Sequence, residues 1–239
     1  MERVDISPYL ESTYLKNPAD IGISEEESFH FIINLVEDAI SYNFRLVMIL
    51  PEYIKVVRDM IASRESMVRI GTVIDFPLGN SDTDHKMSQA NECLKLGADE
   101  LDYVADYHAF KNGDIDKFTR DISSGVDLAK QTDTTIKWII ETGALSSSEI
   151  RNISKTISDI VISDFPDFIS NVFIKTSTGF YKGRGAMVED IQIIRSVSDL
   201  PIKASGGITT IVDCLNMIDA GVTRIGTSKA KEIFMQNND

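Results

Sequence analysis

The chain has 239 residues, 43% of them hydrophobic, and a formal net charge of −13. This suits one sizeable core, and no run of about 18 apolar residues offers a transmembrane helix. The acidic balance argues against nucleic acid or an anionic membrane as the main partner, but local lysines and helix N-termini can still hold an anionic small molecule. The opening MERVDISPYLEST has no apolar h-region, so no secretory signal is expected. Cys93 and Cys214 lie in helix-like segments without metal spacing, as small core residues of a reducing cytosol would.

In chain order, Arg3 to Ile6 reads as the opening of a first strand, and Glu11-Ser12-Thr13 ends that region. Ser24 with Glu25, Glu26 and Glu27 forms a capping box. The helix it starts places Phe31, Ile32, Leu35, Val36 and Ala39 at helical spacing. Phe44 to Leu50 predicts a strand, stopped by Pro51, and a helix follows through Val56, Val57 and Met60. Val68 to Phe76 is the next strand. Ser81 or Asp82 caps a helix that Gly97 stops after Leu96. Further strands are expected at Glu100–Val104, Thr135–Ile140, Asn171–Thr176, Pro201–Ala204 and Arg224–Gly226. Between them lie helices over Ile115–Lys130, from the Ser146 cap, over Val188–Val197 and from Thr209 to Gly221, with a short final helix.

The pattern is a strand followed by a helix, repeated eight times, with no linker or second domain. Continuous apolar strands fit a parallel sheet covered on both faces. The expected fold is α/β, a single (β/α)8 TIM barrel over residues 1–239. An open doubly wound sheet is the alternative, but no Gly-x-Gly-x-x-Gly turn follows the first strand.

Two strands carry a lysine inside an apolar run: Phe173-Ile174-Lys175-Thr176-Ser177-Thr178-Gly179-Phe180 and Ile202-Lys203-Ala204-Ser205-Gly206-Gly207. Burial and a neighbouring cation both lower a lysine pKa, and a neutral amine attacks carbonyls to form an imine. One of the pair is the expected nucleophile and the other its neighbour. Side chains alternate between barrel interior and helix layer. That rule turns Asp102 inward with Val104, and gives Lys137, Ile139 and Glu141 one face. The interior would then hold Asp102, Lys137, Glu141, Lys175 and Lys203 at the strand ends where barrel sites lie. The bland readings are that Lys137 and Glu141 form an internal ion pair and that Asp102 only neutralises a lysine.

Gly206-Gly207 and Gly226-Thr227-Ser228 precede helices after the last two strands, where barrels bind phosphate with backbone N–H groups. Gly179 and the stretch Lys182-Gly183-Arg184-Gly185 are further candidate donors. His30, His85 and His108 are scattered and give no metal constellation. His30 and His108 read as surface residues, and Asp75, Asp82 and Asp84 near His85 as caps and solvated acids.

The two lysine motifs resemble those of the deoxyribose-phosphate aldolases. So do Val73-Ile74-Asp75-Phe76-Pro77-Leu78-Gly79, Gly97-Ala98-Asp99-Glu100-Leu101-Asp102, Ile139-Ile140-Glu141-Thr142-Gly143 and Gly221-Val222-Thr223-Arg224-Ile225-Gly226-Thr227-Ser228. The similarity runs from about residue 70 to 228 and is looser before that. It implies a cytoplasmic class I aldolase of deoxyribose phosphate catabolism. Such an enzyme cleaves 2-deoxy-D-ribose 5-phosphate reversibly to acetaldehyde and D-glyceraldehyde 3-phosphate, without metal or other cofactor, and is often a homodimer. By this resemblance Lys175 forms the Schiff base, and Lys203 keeps it nucleophilic by like-charge repulsion. Asp102 moves protons through water, while Gly179, Gly206, Gly207, Gly226, Thr227 and Ser228 surround the phosphate. Lys137 and Glu141 are possible supporting residues. The chain departs from the family at Glu11-Ser12-Thr13, where an Asp-His-Thr run is common, at Val47-Met48-Ile49, and in the basic loop Tyr181-Lys182-Gly183-Arg184. The competing readings are a Schiff-base aldolase for another sugar phosphate, and a silent barrel that binds sugar phosphate or a protein partner.

Overall fold

Short β-rich runs alternate with capped helices along the chain, and each helix must bury one stripe against the strands beside it. In the computed structural model, which describes residues 4–182 and 184–238, the strands meet this demand by closing on themselves. Eight parallel strands form a barrel in sequence order. They are β1 Leu10–Tyr14, β2 Leu46–Ile49, β3 Arg69–Ile74, β4 Glu100–Val104, β5 Thr135–Ile139, β6 Val172–Lys175, β7 Ile202–Ser205 and β8 Arg224–Thr227. Closure pairs β1 with β8 through Leu10 opposite Ile225 and Glu11 opposite Gly226.

The helices outside are α1 Pro18–Ile21, α2 Glu25–Ser41, α3 Ile54–Ser63, α4 Thr83–Leu96, α5 Tyr107–Lys111, α6 Ile115–Thr132, α7 Ser147–Asp164, α8 Val188–Arg195, α9 Ile211–Asp219 and α10 Ala230–Asn238. Ser24 and Ser146 each close a capping box, with Glu27 and Glu149. Asp82, not Ser81, caps α4, because the Ser81 hydroxyl is held by Asp75 at 2.7 Å. Thr210, not Thr209, caps α9. Most of the core lies between strands and helices. There Trp138 stacks on Tyr103 at 4.8 Å, and Gly125 of α6 is the one residue small enough to lie on the indole.

Two expectations need correction. The first strand is β1, and Arg3 lies outside the described residues. Pro8 has no N–H to give to a ladder, so Ser7–Tyr9 turns as a 3-10 helix and pairing starts at Leu10, opposite Ile225 of β8. Glu11, Ser12 and Thr13 are thus strand residues. Phe31 leaves the buried stripe of α2, which is Ser28, Ile32, Val36 and Ala39, and stacks on Tyr14 at 5.6 Å.

The barrel interior is divided. On the β1–β3 side Leu15, Leu46, Met48 and Val73 pack together, and Gly71 leaves room for the Met48 side chain. Across from them β4 to β7 turn charged side chains inward.

Candidate active site

Strand pairing sets Lys175 directly beside Lys203. Both are almost fully buried, a costly arrangement for two ammonium groups unless a carboxylate joins them. Asp102 does so: its Oδ2 accepts from Lys175 Nζ at 2.8 Å and from Lys203 Nζ at 2.7 Å. Its Oδ1 accepts from Lys137 Nζ at 2.9 Å. Lys137 also donates to Glu100 Oε2 at 2.7 Å, and Lys203 donates to Glu11. At the barrel floor Arg69 donates to Glu100 at 3.3 Å, and Arg224 Nε lies 3.7 Å from Glu11 Oε1. A continuous ionic column thus rises from the floor to Lys175 at the C-terminal end of β6.

The column separates the lysines by protonation. Burial disfavours the Lys137 ammonium, but Asp102, Glu100 and Glu11 outweigh it and hold its pKa far above the ordinary value. For Lys175 burial is the largest influence. Asp102 opposes it, Lys203 adds to it, and the result is a pKa lowered to about 8. The leading cause is therefore burial, with like-charge repulsion from Lys203 adding to it. Burial would raise the Asp102 carboxyl, yet Lys137, Lys175 and Lys203 together hold it well below the usual carboxylate range.

Lys137 and Glu141 do not pair with each other. β5 ends at Ile139, and Glu141 turns into the left-handed region (φ 56°), so alternation stops before reaching it. Its carboxylate instead accepts from the N–H and hydroxyl of Thr178. Replacing Lys137 with Met should lower stability by about 3–5 kcal/mol, because Glu100 and Asp102 lose a buried partner. Urea unfolding measures this, and a change under 1 kcal/mol would contradict the column.

A cavity of about 310 Å³ opens at the C-terminal ends of the strands. Lys175 lines it, together with Gly179, Gly206, Gly207, Gly226, Thr227 and Ser228; Lys137 and Lys203 do not. Gly179, Gly206 and Gly207 have φ of 83°, 94° and 76°, which lets these loops turn their backbone toward the cavity. Two of the residues expected around phosphate are partly used elsewhere. Gly226 is a β8 residue, and a Cβ there would lie 2.9 Å from Lys203 Cε. The Thr227 hydroxyl donates to Ile208 O at 2.7 Å. Arg184 is no free donor either, since it forms an ion pair with Asp190. Gly183 lies outside the described residues. His30, His85 and His108 are exposed, and among the described residues no group of His, Cys, Asp and Glu is placed to hold a metal ion.

Sequence reasoning missed Glu11 and Glu100. The alternation that turned Asp102 inward also turns Glu100, two residues earlier. Glu11 was hidden by the misplaced first strand. From the β1–α1 connection, Lys16 and Asn17 also reach the cavity.

A closed parallel barrel whose mouth opens on a buried, partly neutral lysine defines a (β/α)8-barrel enzyme. No protein-family model matches the chain. It is 37% identical to the deoxyribose-phosphate aldolase of Thermococcus gammatolerans over 98% of this chain and 96% of that one. It is 35% identical to that of Caldicellulosiruptor saccharolyticus over 99% of this chain and 100% of the relative. A solved aldolase, QR15, superposes with a TM-score of 0.80 at 31% identity, covering 98% of this chain and 96% of QR15. The tetrameric deoxyribose phosphate aldolase of Aeropyrum pernix gives 0.80 at 26% identity over 100% of this chain and 94% of that one. The chain belongs to the deoxyribose-phosphate aldolase family, and it is an aldehyde-lyase.

Proposed function

We propose that the protein cleaves 2-deoxy-D-ribose 5-phosphate reversibly to acetaldehyde and D-glyceraldehyde 3-phosphate through a Schiff base on Lys175. The observation that carries this is that Lys175, alone of the three lysines that contact Asp102, lines the cavity, where burial lowers its pKa to about 8. Its neutral amine adds to C1 of the open-chain sugar, and the carbinolamine loses water to give a protonated imine. The C3 hydroxyl gives up its proton, the C2–C3 bond breaks, and its electron pair moves into the imine to leave an enamine. C3 becomes the aldehyde of the three-carbon product. Protonation at C2 and hydrolysis release acetaldehyde and restore the amine.

Asp102 and Lys203 move the protons, with water between them and the substrate. A carboxylate held so low by three ammonium groups is a weak base. When Lys175 is neutral, one of those cations is gone and Asp102 regains basicity, so the relay works in the state that reacts. Gly179, Gly206, Gly207 and Ser228 hold the phosphate through backbone N–H groups. Lys137 supports Asp102 from below. The working assembly is a homodimer in the cytoplasm, acting in deoxyribose phosphate catabolism, and light scattering reads the subunit number.

Borohydride trapping with 2-deoxyribose 5-phosphate, followed by peptide mass spectrometry, tests the reading. A reduced adduct on Lys175 is expected. An adduct on Lys203 or Lys137 would overturn the assignment of roles, and equal activity toward ribose 5-phosphate would overturn the substrate. The rate at low substrate should rise with pH to a midpoint near 8, as Lys175 loses its proton. Lys203→Leu removes a neighbouring cation, so Lys175 becomes more basic and the midpoint moves up. Each pKa unit removes about tenfold of the neutral amine at pH 7. An unmoved midpoint in Lys203→Leu would sink its electrostatic role.

A further inference from the structure

Lys203 is carried by β7, yet its ammonium donates to Glu11 of β1, so the side chain has to cross β8. The residue it crosses is Gly226. Strand pairing sets Gly226 opposite Ser205 on one side and Glu11 on the other, so the three share one level of the barrel. A Cβ on Gly226 would lie 2.9 Å from Lys203 Cε, 3.6 Å from Lys203 Nζ and 3.2 Å from Ser205 Cβ. The first of these is closer than side-chain carbons approach, so Lys203 would have to move. Unlike Gly206 and Gly207, Gly226 has no positive φ to require glycine. What the position requires is the absence of a side chain, and Lys203 occupies the space so left.

Beyond this gap stands Glu11, which is wholly buried. Its Oε1 has no hydrogen-bond partner and lies 3.6 Å from Lys137 Nζ of β5 and 3.7 Å from Arg224 Nε of β8. On the near side, Lys203 donates to Asp102 Oδ2 of β4 at 2.7 Å, the same oxygen that Lys175 of β6 meets at 2.8 Å. Two ammonium groups on one carboxylate oxygen repel each other, and a second carboxylate across β8 draws one of them off.

We propose that Gly226 and Glu11 are positioning residues for Lys203: the gap at Gly226 lets Glu11 draw the ammonium over β8, and so sets how far it stands from Lys175. The proposal rests on the reading of Lys175 as the imine-forming amine, and it gives Gly226 a task other than the phosphate contact that the family resemblance implies. Because β7 lies between β6 and β8, a side chain at position 226 pushes Lys203 away from Glu11 and toward Lys175. The atom that must yield is near the end of a flexible side chain, so the backbone can keep its place. Lys203 lowers the Lys175 pKa and Glu11 raises it, so a closer Lys203, or an uncharged residue 11, lowers it further.

The test is the pH dependence of acetaldehyde trapping on Lys175 by cyanoborohydride, in the wild type, Gly226→Ala and Glu11→Gln. Acetaldehyde carries no phosphate, so loss of a phosphate contact leaves this readout unmoved. Nζ bonds to the carbonyl carbon, water leaves, and the reagent delivers hydride to the iminium carbon. The midpoint should move down in both variants, opposite to its movement in Lys203→Leu. A fall of up to about one pH unit raises the rate of trapping at pH 7 about 2- to 5-fold, through the gain in neutral amine. Turnover of 2-deoxyribose 5-phosphate should instead fall about 10- to 100-fold, the cost of misplacing a group of the proton relay by about 1 Å. Adding Gly226→Ala to Lys203→Leu should leave the midpoint where Lys203→Leu put it. Glu11→Gln adds no bulk and covers any failure of the alanine variant to fold. A midpoint unmoved or raised in the folded variants, with acetaldehyde still trapped on Lys175, would overturn this inference alone. Weaker inhibition by inorganic phosphate in Gly226→Ala, with the midpoint unmoved, would make Gly226 a phosphate contact instead. No acetaldehyde adduct on Lys175 in the wild type would overturn the imine reading, and this inference with it.

Discussion

Lys175→Arg should abolish cleavage of 2-deoxyribose 5-phosphate and leave no borohydride adduct. The expected loss is on the order of 10⁴- to 10⁶-fold, as when a covalent nucleophile is removed. Arginine keeps the positive charge and can still meet Asp102, so the ionic column persists, but a guanidinium stays protonated and forms no imine. Urea unfolding should therefore change much less than activity. Lys175→Leu adds the complementary case, because it removes a charge that Asp102 now contacts at 2.8 Å. Turnover within tenfold of the wild type in either variant would show that another amine does the chemistry.

Asp102→Asn is the second large effect, and it separates two roles that the geometry combines. Asp102 raises the pKa of Lys175 against the effect of burial. Its loss should let that pKa fall below about 8, so more amine is neutral at pH 7 and the midpoint of the pH profile moves down. If only the nucleophile mattered, activity would rise. The expected result is instead a fall in kcat of about 10²- to 10⁴-fold, the usual worth of a positioned acid–base group. Adduct formation at pH 7 should fall far less than turnover. A parallel loss of adduct and turnover, with the midpoint unmoved, would reduce Asp102 to a structural counter-ion.

The order of strands and helices was legible because local chemistry marks it. Ser24 and Ser146 carry capping boxes, Gly97 ends α4 with a left-handed turn, and the strands are apolar runs buried on both faces. Period-two alternation was sufficient to turn Asp102, Lys137 and Lys175 inward. It failed at Glu141, where the backbone leaves the strand, and the first strand was placed too early, because Pro8 delays the ladder to Leu10. Phe31 was drawn into the buried stripe of α2 by its hydrophobicity, although its position turns it to the rim and onto Tyr14.

By itself the sequence determined which residues face inward on most strands, which loops carry the glycines, and which two lysines stand in register. These are properties of single elements and of neighbouring motifs. Which charge meets which was decided only by closure of the barrel. Closure brings Glu11 of the first strand onto Lys203 of the seventh, 192 residues away, and lets Asp102 reach over β5 to Lys175 and Lys203. The preference for Lys175 as nucleophile rests on the same step. The three lysines that meet Asp102 look alike along the chain, but carboxylates converge on Lys137 from three directions, whereas Lys175 sits at the open end, where burial outweighs its single close carboxylate. A pKa depends on distances between strands, and those distances exist only after the ends of the sheet have met.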